Sequence, residues 1–446
     1  MVLAAGIGCG GQTATNPSGG GGASGHGGDR DAGHDSAGTN PTDARIDATP
    51  SGGARGGSGG SAAGGAATGG AGGAGNRGGT GGKGGGAGSG AHGGAGGGAS
   101  SGRCTTFQFQ PSHPCPDQIL VDMNGDGRLD VVSGWSDTTG LHVMVYRQTA
   151  PRLFADPDQY DYGTSVYYLE RMAAADLDQD GIPDIAIPDA YGRVALLLSG
   201  SGTGYSFAPL LVSSKQEDLY DVALADFDGD GYRDIAVPVY DTSASLGIYW
   251  GTGRGAFAIR ADQKLCSLGT RTTVVDANED GHPDLVVACM GGGGQVLINQ
   301  GGRSFTPVLL PGASQSYDSA TGDLNNDGHV DVVIPDRILK QLIVSLGDGH
   351  GNFTVATGSV AATTSSPVLA KMGDLDGDGK ADVLLSDSAL TTLAFYRGTG
   401  DGHFQSPQTY PAANTSRNLT IGDVDGDGFQ DLMVGDGPTI VYGPCP

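Results

Sequence analysis

The sequence predicts an all-β protein: a seven-bladed β-propeller of four-stranded blades, preceded by a disordered Gly-rich tether. Three observations lead to this prediction. A nine-residue acidic motif occurs seven times, at intervals of about fifty residues. A short apolar run typical of a buried strand follows every copy. The first hundred residues contain neither feature. Repeats of this length with four short strands are typical of β-propellers, whose radial closure leaves only short strand edges.

The chain begins with a short apolar segment, residues 1–9, that ends in Cys9. Small residues directly before a Cys are similar to the end of a bacterial lipoprotein signal, in which the Cys is lipidated. A basic n-region is missing, and Gly6 stands where such signals favour Leu. The alternative is an ordinary apolar N-terminus. We interpret residues 1–9 as a remnant of a signal and predict that Cys9 carries a lipid anchor.

Residues 10–103 consist mainly of Gly, Ala, Ser, Asn and Thr, with almost no large apolar side chain. Such a segment buries too little surface to offset the entropy lost on ordering. We therefore predict a disordered linker between the anchor and a folded domain at residues 104–446. A Cys followed by a Gly-rich and Ser-rich spacer is typical of a protein tethered to a cell surface, which predicts an extracellular location in a bacterial envelope.

The acidic motif reads Asp, any residue, Asp or Asn, any residue, Asp-Gly, two residues, Asp. Oxygen ligands at positions 1, 3, 5 and 9, with Gly at position 6 for the bend, suit a hard cation that takes six to eight oxygens. Position 12 carries Ser or an apolar residue instead of Glu, which excludes a helix–loop–helix calcium hand. We predict up to seven calcium ions. The predicted ligands, motif by motif, are Asp122, Asn124, Asp126 and Asp130; Asp176, Asp178, Asp180 and Asp184; Asp226, Asp228, Asp230 and Asp234; Asp276, Asn278, Asp280 and Asp284; Asp323, Asn325, Asp327 and Asp331; Asp374, Asp376, Asp378 and Asp382; Asp423, Asp425, Asp427 and Asp431.

The formal net charge of −25 supports this interpretation, because about half of all Asp and Glu residues stand at these ligand positions. Carboxylates a few ångströms apart repel one another unless a cation lies between them. Lys and Arg number only 24 and are scattered along the chain. Nucleic acid is therefore excluded as a partner, since phosphate binding needs clustered basic residues.

Each repeat continues with a further apolar strand and a Gly-rich turn that ends in Phe, as in residues 200–207 and 347–353. These turns resemble phosphate-binding loops, but no helix follows them, and Gly supplies the positive φ that a tight hairpin needs. We interpret them as connections between the third and fourth strands of a blade.

The Asp-rich loop between two strands, the Gly-Asp-Gly-x-Phe turn and the fifty-residue period resemble FG-GAP/VCBS repeats. This repeat is the unit of the integrin α-subunit propeller and of many bacterial surface proteins. The resemblance covers about Cys104 to Pro446. It implies calcium loops on one face of a seven-bladed propeller, with the backbone carbonyl of position 7 as a further ligand. The repeat serves adhesion modules, lectins and several enzymes, so it does not identify the ligand.

The seventh repeat ends before its fourth strand. In repeats 2 to 6 the Phe follows the first motif Asp by about thirty residues, which for repeat 7 would lie beyond Pro446. Residues 105–111 alternate like a strand, and Phe109-Gln-Pro111 matches Phe207-Ala-Pro209. We therefore predict that this N-terminal segment is the closing strand of blade 7.

The closing strand would place Cys104 beside Cys445. A disulfide between them would lock the ring, and it requires an oxidising compartment. Cys104 has an alternative partner in Cys115, which is otherwise left unpaired. Cys266 and Cys289 flank the first hairpin of blade 4 and form a second candidate pair. The alternative for all of them is a buried free thiol.

The sequence contains no motif for nucleophilic, metalloprotease or nucleotide chemistry, and we assign no catalytic residue. Two hypotheses follow. The first is a calcium-stabilised extracellular module that binds a protein or glycan on the face opposite the calcium loops. It would be monomeric and would meet a membrane only through its lipid anchor. The alternative is a secreted polysaccharide-active enzyme, a lyase or hydrolase, with a central pocket lined by Tyr, His, Lys and Arg.

Overall fold

The structure, a computed structural model, describes residues 106–108, 117–163, 169, 171–200, 204–209, 211–212, 217–258, 260–357, 361–362, 366–387, 392–411, 419–434 and 439–443. Within these ranges every regular element is a β-strand. No helix long and apolar enough to cross a membrane occurs there. The predictions for residues 1–9, the linker 10–103 and Cys9, Cys104, Cys115 and Cys445 lie outside the described residues.

Seven antiparallel sheets form the seven predicted blades; each has four strand positions, and in blades 2 and 5 two short strands share the fourth position. The first strand of the chain, β1 (Thr106–Gln108), belongs to the last blade. The strands of blade 1 are β2 (Asp117–Val121), β3 (Asp130–Asp137), β4 (Gly140–Tyr146) and β7 (Asp158–Tyr162), with a small hairpin of β5 (Gln148–Ala150) and β6 (Leu153–Phe154). The strands of blade 2 are β8 (Ala173–Ala175), β9 (Asp184–Pro188), β10 (Arg193–Gly200), β11 (Gly204–Phe207) and β12 (Leu211–Val212).

The middle blades have the same order of strands. Blade 3 contains β13 (Ala223–Ala225), β14 (Asp234–Pro238), β15 (Ser245–Tyr249) and β18 (Ala261–Lys264), with a hairpin of β16 (Gly251–Gly253) and β17 (Ala256–Phe257). Blade 4 contains β19 (Ser267–Val275), β20 (Asp284–Gly291), β21 (Gly293–Asn299) and β22 (Phe305–Leu309). Blade 5 contains β23 (Ala320–Gly322), β24 (Asp331–Asp336), β25 (Gln341–Gly347), β26 (Phe353–Val355) and β27 (Ala361–Ala362).

The last two blades complete the ring. Blade 6 contains β28 (Pro367–Gly373), β29 (Asp382–Asp387), β30 (Thr392–Tyr396) and β31 (Gln408–Pro411). Blade 7 contains β32 (Leu419–Gly422), β33 (Asp431–Val434), β34 (Thr439–Val441) and β1. The first strand of every blade contacts the first strands of both neighbouring blades, and β32 contacts β2. These seven first strands therefore surround a common axis.

The predicted closing strand is confirmed. Strand β1 pairs antiparallel with β34, with Thr106 opposite Val441, Phe107 opposite Ile440 and Gln108 opposite Thr439. The N-terminal segment therefore supplies the fourth strand of blade 7. Closure in this way pairs the two ends of the array, so neither is left as an open sheet edge.

Both faces of each sheet are buried against neighbouring blades, which explains the continuous apolar runs. In β9 the side chains of Ile185 and Ile187 pack into the core shared with blade 1, and Ala186 packs into the core shared with blade 3. All three residues are fully buried. Complete burial of an Ile side chain contributes roughly 1.5–3 kcal/mol to stability. The apolar runs after each acidic motif are therefore the source of the cores between blades.

The Gly-rich turns form hairpins, but the Phe residues do not all lie in the fourth strand. In blade 2 the prediction holds, since Phe207 lies opposite Leu197. In blades 1 and 3 the Phe lies in the separate hairpins β5–β6 and β16–β17, and in blade 6 Phe404 forms an isolated bridge with Gly398; in all three blades the fourth strand follows later. Both of these hairpins contain a register shift. A bulge bends and twists a strand, which turns the hairpin away from the sheet.

Cys266 and Cys289 are joined by a disulfide, with their Cα atoms 6.1 Å apart. Cys289 is fully buried in β20, and Cys266 lies just before β19. The bond links the first two strands of blade 4, at the end of the hairpin away from its acidic loop.

Candidate functional site

Each acidic motif is the connection between the first and second strands of its blade. In blade 3, β13 ends at Ala225, the motif begins at Asp226, and β14 begins at the position 9 residue, Asp234. The same arrangement occurs in all seven blades. Because the first strands all run in the same direction along the axis, the seven loops lie on one face of the ring. Gly231 at position 6 has φ of 91°, a conformation that L side chains rarely adopt.

The Asp at position 1 closes every loop. In blade 3 the Oδ1 atom of Asp226 accepts the backbone N–H groups of Gly229 and Asp230 at 2.8 and 3.1 Å, and Oδ2 accepts that of Gly231 at 2.8 Å. The bond from position 6 to Oδ2 of position 1 recurs in all seven loops at 2.7–3.0 Å. The backbone is therefore already folded around the place where the predicted ligands converge.

The Asp at position 9 has a structural role that the sequence analysis missed. Asp234 is fully buried; its Oδ2 accepts the N–H of Phe227 at 2.8 Å and its Oδ1 accepts that of Gly251 at 2.7 Å. One carboxylate thus joins the loop to the end of the third strand. The equivalent fully buried residues, which make the same two bonds, are Asp130, Asp184, Asp284, Asp331, Asp382 and Asp431.

Four loops bring three carboxylates together, with one oxygen from each within 4.8 Å of the others. These are the loops with Asp at position 3. The four sets are Asp176, Asp178 and Asp184; Asp226, Asp228 and Asp230; Asp374, Asp376 and Asp382; and Asp423, Asp425 and Asp431. Oxygens at this spacing match the coordination of a single hard cation.

The other three loops have Asn at position 3, and its amide group bonds to the Asp at position 5. The Nδ2–Oδ2 distances are 3.0 Å for Asn124 and Asp126, 2.9 Å for Asn278 and Asp280, and 2.8 Å for Asn325 and Asp327. Each of these loops therefore contains one negative charge fewer, while the amide oxygen remains a neutral ligand.

Burial raises the pKa of the position 9 carboxyls, to about 6 for Asp184, Asp234 and Asp382. Backbone N–H bonds lower the pKa in part, and the nearby loop carboxylates, Asp228 and Asp230 in blade 3, raise it further. Without a bound cation, full ionisation of the loop carboxylates is therefore unfavourable. A divalent ion among the carboxylates would offset both the desolvation and the repulsion, so the residues present fit calcium.

Arginine side chains compensate part of the charge in three of the loops with Asp at position 3. Arg303 contacts Oδ2 of Asp228 through Nε and Nη2, both at 2.7 Å. Arg152 pairs with Asp425, and Nε of Arg397 lies 2.5 Å from Oδ2 of Asp376. These pairs leave the other carboxylate oxygen free of the guanidinium and hold the carboxylate in a single orientation.

Two of these arginines come from the outer hairpin of the next blade and lie over an aromatic ring. The guanidinium carbon of Arg303 is 4.8 Å from the ring centroid of Trp250, and that of Arg152 is 4.3 Å from the centroid of Tyr442. Both aromatic residues are buried. Trp250 therefore positions an arginine.

The loop of blade 2 differs because no basic side chain pairs with its Asp residues in the part of the chain that the structure describes. All four of its ligand positions are Asp. Burial and the charges of Asp180 and Asp176 raise the pKa of Asp178. The four carboxylates of this loop therefore have no basic partner among the described residues.

A second group of ionisable residues lies around the axis, on or just before the first strands. Three acids from blades 1, 3 and 5 alternate with three cations from blades 2, 4 and 6. We call this set the axial cluster: Asp117, Arg171, Asp221, Arg271, Asp318 and Lys371. Sequence reasoning missed the cluster, since its members are about fifty residues apart and differ in residue type, although five of the six stand five residues before the first Asp of a motif.

The acids of the axial cluster link adjacent blades. Oδ2 of Asp117 accepts the N–H of Met172, Oδ2 of Asp221 accepts the N–H of Thr272 at 2.6 Å, and Oδ2 of Asp318 accepts the N–H of Ala370 at 3.1 Å. All three acids are buried. Burial raises the pKa of Asp117 to about 6 even though Arg171 and Arg271 act to lower it.

A family profile described as FG-GAP-like repeat matches residues 122–187, 176–237, 276–334 and 374–434, which together are more than half of the chain. Human integrin alpha-7 is 27% identical over 168 residues, which covers 31% of this chain and 14% of the integrin. The matched region is therefore only a small part of that relative.

Among solved structures, BBS1N in complex with ARL6DN has a similar fold. In a crystal soaked with lead it superposes with a TM-score of 0.51 at 11% identity, covering 75% of this chain and 94% of that chain. In a crystal soaked with mercury the TM-score is 0.51 at 12% identity, with 76% and 98% covered. At this level of identity the similarity supports the fold alone.

Proposed function

Because the chain belongs to the FG-GAP-like repeat family, we propose that it is a calcium-stabilised binding module that is displayed outside the cell and has no catalytic activity of its own. The observation that carries the proposal is the identical geometry of the seven loops. In each loop the position 1 Asp closes the backbone bend, and a fully buried Asp at position 9 ties the loop to the third strand.

Calcium in this proposal is a structural ion. The oxygens of positions 1, 3, 5 and 9 hold it, with Asn in place of Asp at position 3 in blades 1, 4 and 5. Extracellular modules bind calcium with dissociation constants of roughly 10⁻⁴–10⁻³ M, so ambient calcium would keep such loops filled. An ion that binds only the folded state increases the free energy of unfolding.

An extracellular location and a role in binding are supported by two observations. Integrin alpha-7 shares sequence with part of the ring. The Cys266–Cys289 disulfide is consistent with an oxidising compartment. We propose an extracellular protein or glycan as the partner, bound to the face opposite the calcium loops, with a monomeric propeller tethered to a bacterial surface through Cys9 and the Gly-rich linker.

Two measurements test this proposal. Metal analysis of the purified protein after equilibration in millimolar calcium should find several calcium ions per chain, up to seven. A glycan array and a panel of extracellular matrix proteins, probed in the same buffer, should give binding without any change to the ligand. A protein that retains no calcium, or that converts the ligand, would contradict the proposal.

The axial cluster favours a second candidate, a polysaccharide-active lyase. Burial and the charges of Arg171 and Arg271 together lower the pKa of Lys371 to about 8. An amine that is partly neutral near pH 8 can accept a proton, and adjacent guanidinium groups can neutralise a sugar carboxylate. This candidate is tested by incubation with acidic polysaccharides and measurement of unsaturated products by their ultraviolet absorbance. Released products that disappear in Lys371→Met would support the lyase.

A further inference from the structure

We propose that Asn124 is a site of spontaneous covalent modification, at which the chain changes its own acidic loop in blade 1. In the reaction the side chain of Asn124 closes onto the backbone nitrogen of Gly125 and loses ammonia. The modification needs only the chain and water, so it does not depend on the proposed function. Its effect on calcium does rest on that function and is measured separately.

The reaction is balanced by the chain and water alone. The nitrogen of Gly125 forms a bond to Cγ of Asn124, and the Cγ–Nδ2 bond breaks. The side-chain amide leaves as ammonia, which takes the proton that the Gly125 nitrogen loses. Water then opens the cyclic imide at either of its carbonyl groups. One opening gives Asp, and the other gives isoaspartate, in which the backbone runs through the side-chain carbon.

Gly125 favours the attack at this position. The sequence contains Asn-Gly only at Asn124–Gly125. Gly125 has φ of 72°, and a Cβ added to it would meet no described residue other than its chain neighbours within 4 Å. Because the attacking residue has no side chain, its nitrogen can approach Cγ closely. Its N–H group donates to Oδ1 of Asp122 at 2.8 Å, so an acceptor for the departing proton is in place.

Two other loops contain matched asparagines that lack this glycine. Asn278 and Asn325 also stand at position 3, and Nδ2 of each donates to the position 5 Asp, as Nδ2 of Asn124 does. The residues that follow them are Glu279 and Asn326, with φ of 57° and 59°. The backbone is therefore similar in the three loops, and the side chain on the attacking residue is different.

Asn124 is also more accessible to water than the two matched asparagines. Asn124 is exposed, whereas Asn278 and Asn325 are half-buried. In the Gly-rich turn of the following blade, Gly351 lies against Asn278 and Gly402 lies against Asn325. The carboxamide must rotate to meet the backbone nitrogen, and water must reach the imide. Both requirements favour reaction at Asn124.

The acidic loop of blade 1 lies at the seam where the ring closes. Asp130 at position 9 accepts the N–H of Gln148 at 2.7 Å, and Nε2 of Gln148 donates to the carbonyl oxygen of Val424, in the loop of blade 7, at 2.8 Å. Isoaspartate lengthens the backbone between positions 3 and 4, so the N–H groups that Asp122 accepts would be displaced. We therefore expect isoaspartate to remove the calcium site of blade 1 and to weaken the seam.

The Asp product should act differently from isoaspartate. It keeps the length of the backbone and gives the loop of blade 1 the position 3 carboxylate that the loops of blades 2, 3, 6 and 7 already have. The ratio of the two products therefore decides whether the loop loses its calcium site or gains a charged ligand.

The experiment incubates the full chain at neutral pH, below its unfolding temperature, in excess chelator and in millimolar calcium. Peptide mass spectrometry follows the replacement of the side-chain amide by an acid at each asparagine. Isoaspartyl methyltransferase quantifies isoaspartate, and hydroxylamine traps the cyclic imide. Metal analysis and thermal unfolding of fresh and aged protein measure calcium content and stability.

We expect Asn124 to be converted about tenfold faster than Asn278 and Asn325, with both isoaspartate and the hydroxylamine adduct at Asn124. Gly125→Gln should slow the conversion about tenfold. This variant should fold, because Gln179 occupies the same position of the blade 2 loop with φ of 66°. Gly426→Gln, the same change in the loop of blade 7, is the matched control and should leave the rate at Asn124 unchanged.

Calcium should slow the conversion of Asn124, because an ion held by its Oδ1 atom restricts rotation of the carboxamide. Aged protein that carries isoaspartate should bind less calcium than fresh protein and unfold at a lower temperature. These two results depend on the proposed calcium site of blade 1, whereas the chelator experiment does not.

Three results would overturn the inference. They are conversion of Asn124 no faster than that of Asn278 and Asn325, an unchanged rate in Gly125→Gln, or formation of Asp without isoaspartate. If Gly125→Gln does not fold, the comparison of the three asparagines in the unmodified chain still decides. Isoaspartate at Asn124 that forms equally fast in calcium and in chelator would confirm the modification and refute the proposed calcium site of blade 1.

Discussion

The acidic loops and the axial cluster use buried Asp side chains in opposite electrostatic settings. In both regions the carboxylate accepts backbone N–H groups, as Asp234 does in a loop and Asp221 does at the axis. The neighbours of Asp234 are Asp228 and Asp230, which raise its pKa. At the axis, Arg171 lies 3.9 Å from Asp221.

The difference shows that the charges next to a buried carboxylate decide whether it needs a bound cation. Burial of a charge is costly unless an opposite charge or several hydrogen bonds compensate it. The axis provides the opposite charges within the chain. The loops provide too few of them, and we therefore expect the loops, but not the axis, to depend on calcium. The following predictions test that contrast, starting with the largest expected effect.

Removal of calcium should cause the largest loss of stability. At a calcium concentration ten times the dissociation constant, each site adds about 1.4 kcal/mol to the free energy of unfolding, and several sites add up. Thermal unfolding in 1 mM calcium and in excess chelator should therefore differ by many degrees. Magnesium at the same concentration is the control, and it should restore little, because it requires a smaller octahedral site. Identical melting curves would contradict the expectation that the loops depend on calcium.

Substitutions at positions 9 and 3 of the same loop should lower stability for different reasons, one independent of calcium and one dependent on it. Asp234→Asn removes an acceptor for one of two buried N–H groups, so we expect a loss of about 2–3 kcal/mol in chelator as well as in calcium. Asp228→Asn keeps the loop backbone and mainly weakens the ion site. Its effect should be about 1 kcal/mol in calcium and near zero in chelator. Denaturant unfolding under both conditions separates the two, and an equal dependence on calcium would contradict the structural role of position 9.

At the axis, Lys371→Met should stabilise the ligand-free protein at pH 7. The folded-state pKa is about 8, below the ordinary value of 10.5, so the penalty on the charged form is fully present below pH 8 and disappears as pH rises to about 10.5. The charges that act on the amine are those of Arg171, Asp318, Arg271 and Asp221. We expect a gain of about 1–2 kcal/mol after allowance for solvent screening.

The pH dependence of the free energy of unfolding tests this prediction. Stability of the unmodified chain should increase between pH 8 and 10.5, and the increase should be smaller in Lys371→Met. Lys264→Met, at an exposed lysine of β18, is the matched control and should follow the unmodified chain. A variant that is less stable than the unmodified chain at pH 7 would show that the axis needs this charge.

The smallest effect is expected at an arginine that compensates a loop. Arg303→Met removes the partner of Asp228 and should lower stability in chelator by about 0.5–1 kcal/mol. The loss should shrink in calcium, which provides the compensation instead. Arg254→Met, in the corresponding hairpin of blade 3, is the control, because no ion pair joins Arg254 to another described residue. A loss in calcium as large as that in chelator would show that Arg303 acts through packing on Trp250.

Several features of the fold could be predicted because they depend on residues close together in sequence. A nine-residue motif contains the positions 1, 3, 5 and 9 whose oxygens would surround one ion. Cation binding could therefore be predicted from the motif before the fold was known. The closing strand could be predicted from the length of the last repeat and the alternation around Phe107. The place of the Phe residues in blades 1 and 3 could not be predicted, because a register shift in a three-residue strand leaves no clear sequence pattern.

The sequence by itself determined the number of blades, the acidic loops and the segment that closes the ring, because each follows from spacing within one repeat or between successive repeats. Only the tertiary structure decided the second role of the position 9 Asp, the pairing of Arg303 with Asp228, and the pairing of Arg171 with Asp221. Arg171 and Asp221 are about fifty residues apart along the chain. They become neighbours because a closed ring directs the inner strand of every blade toward the same axis.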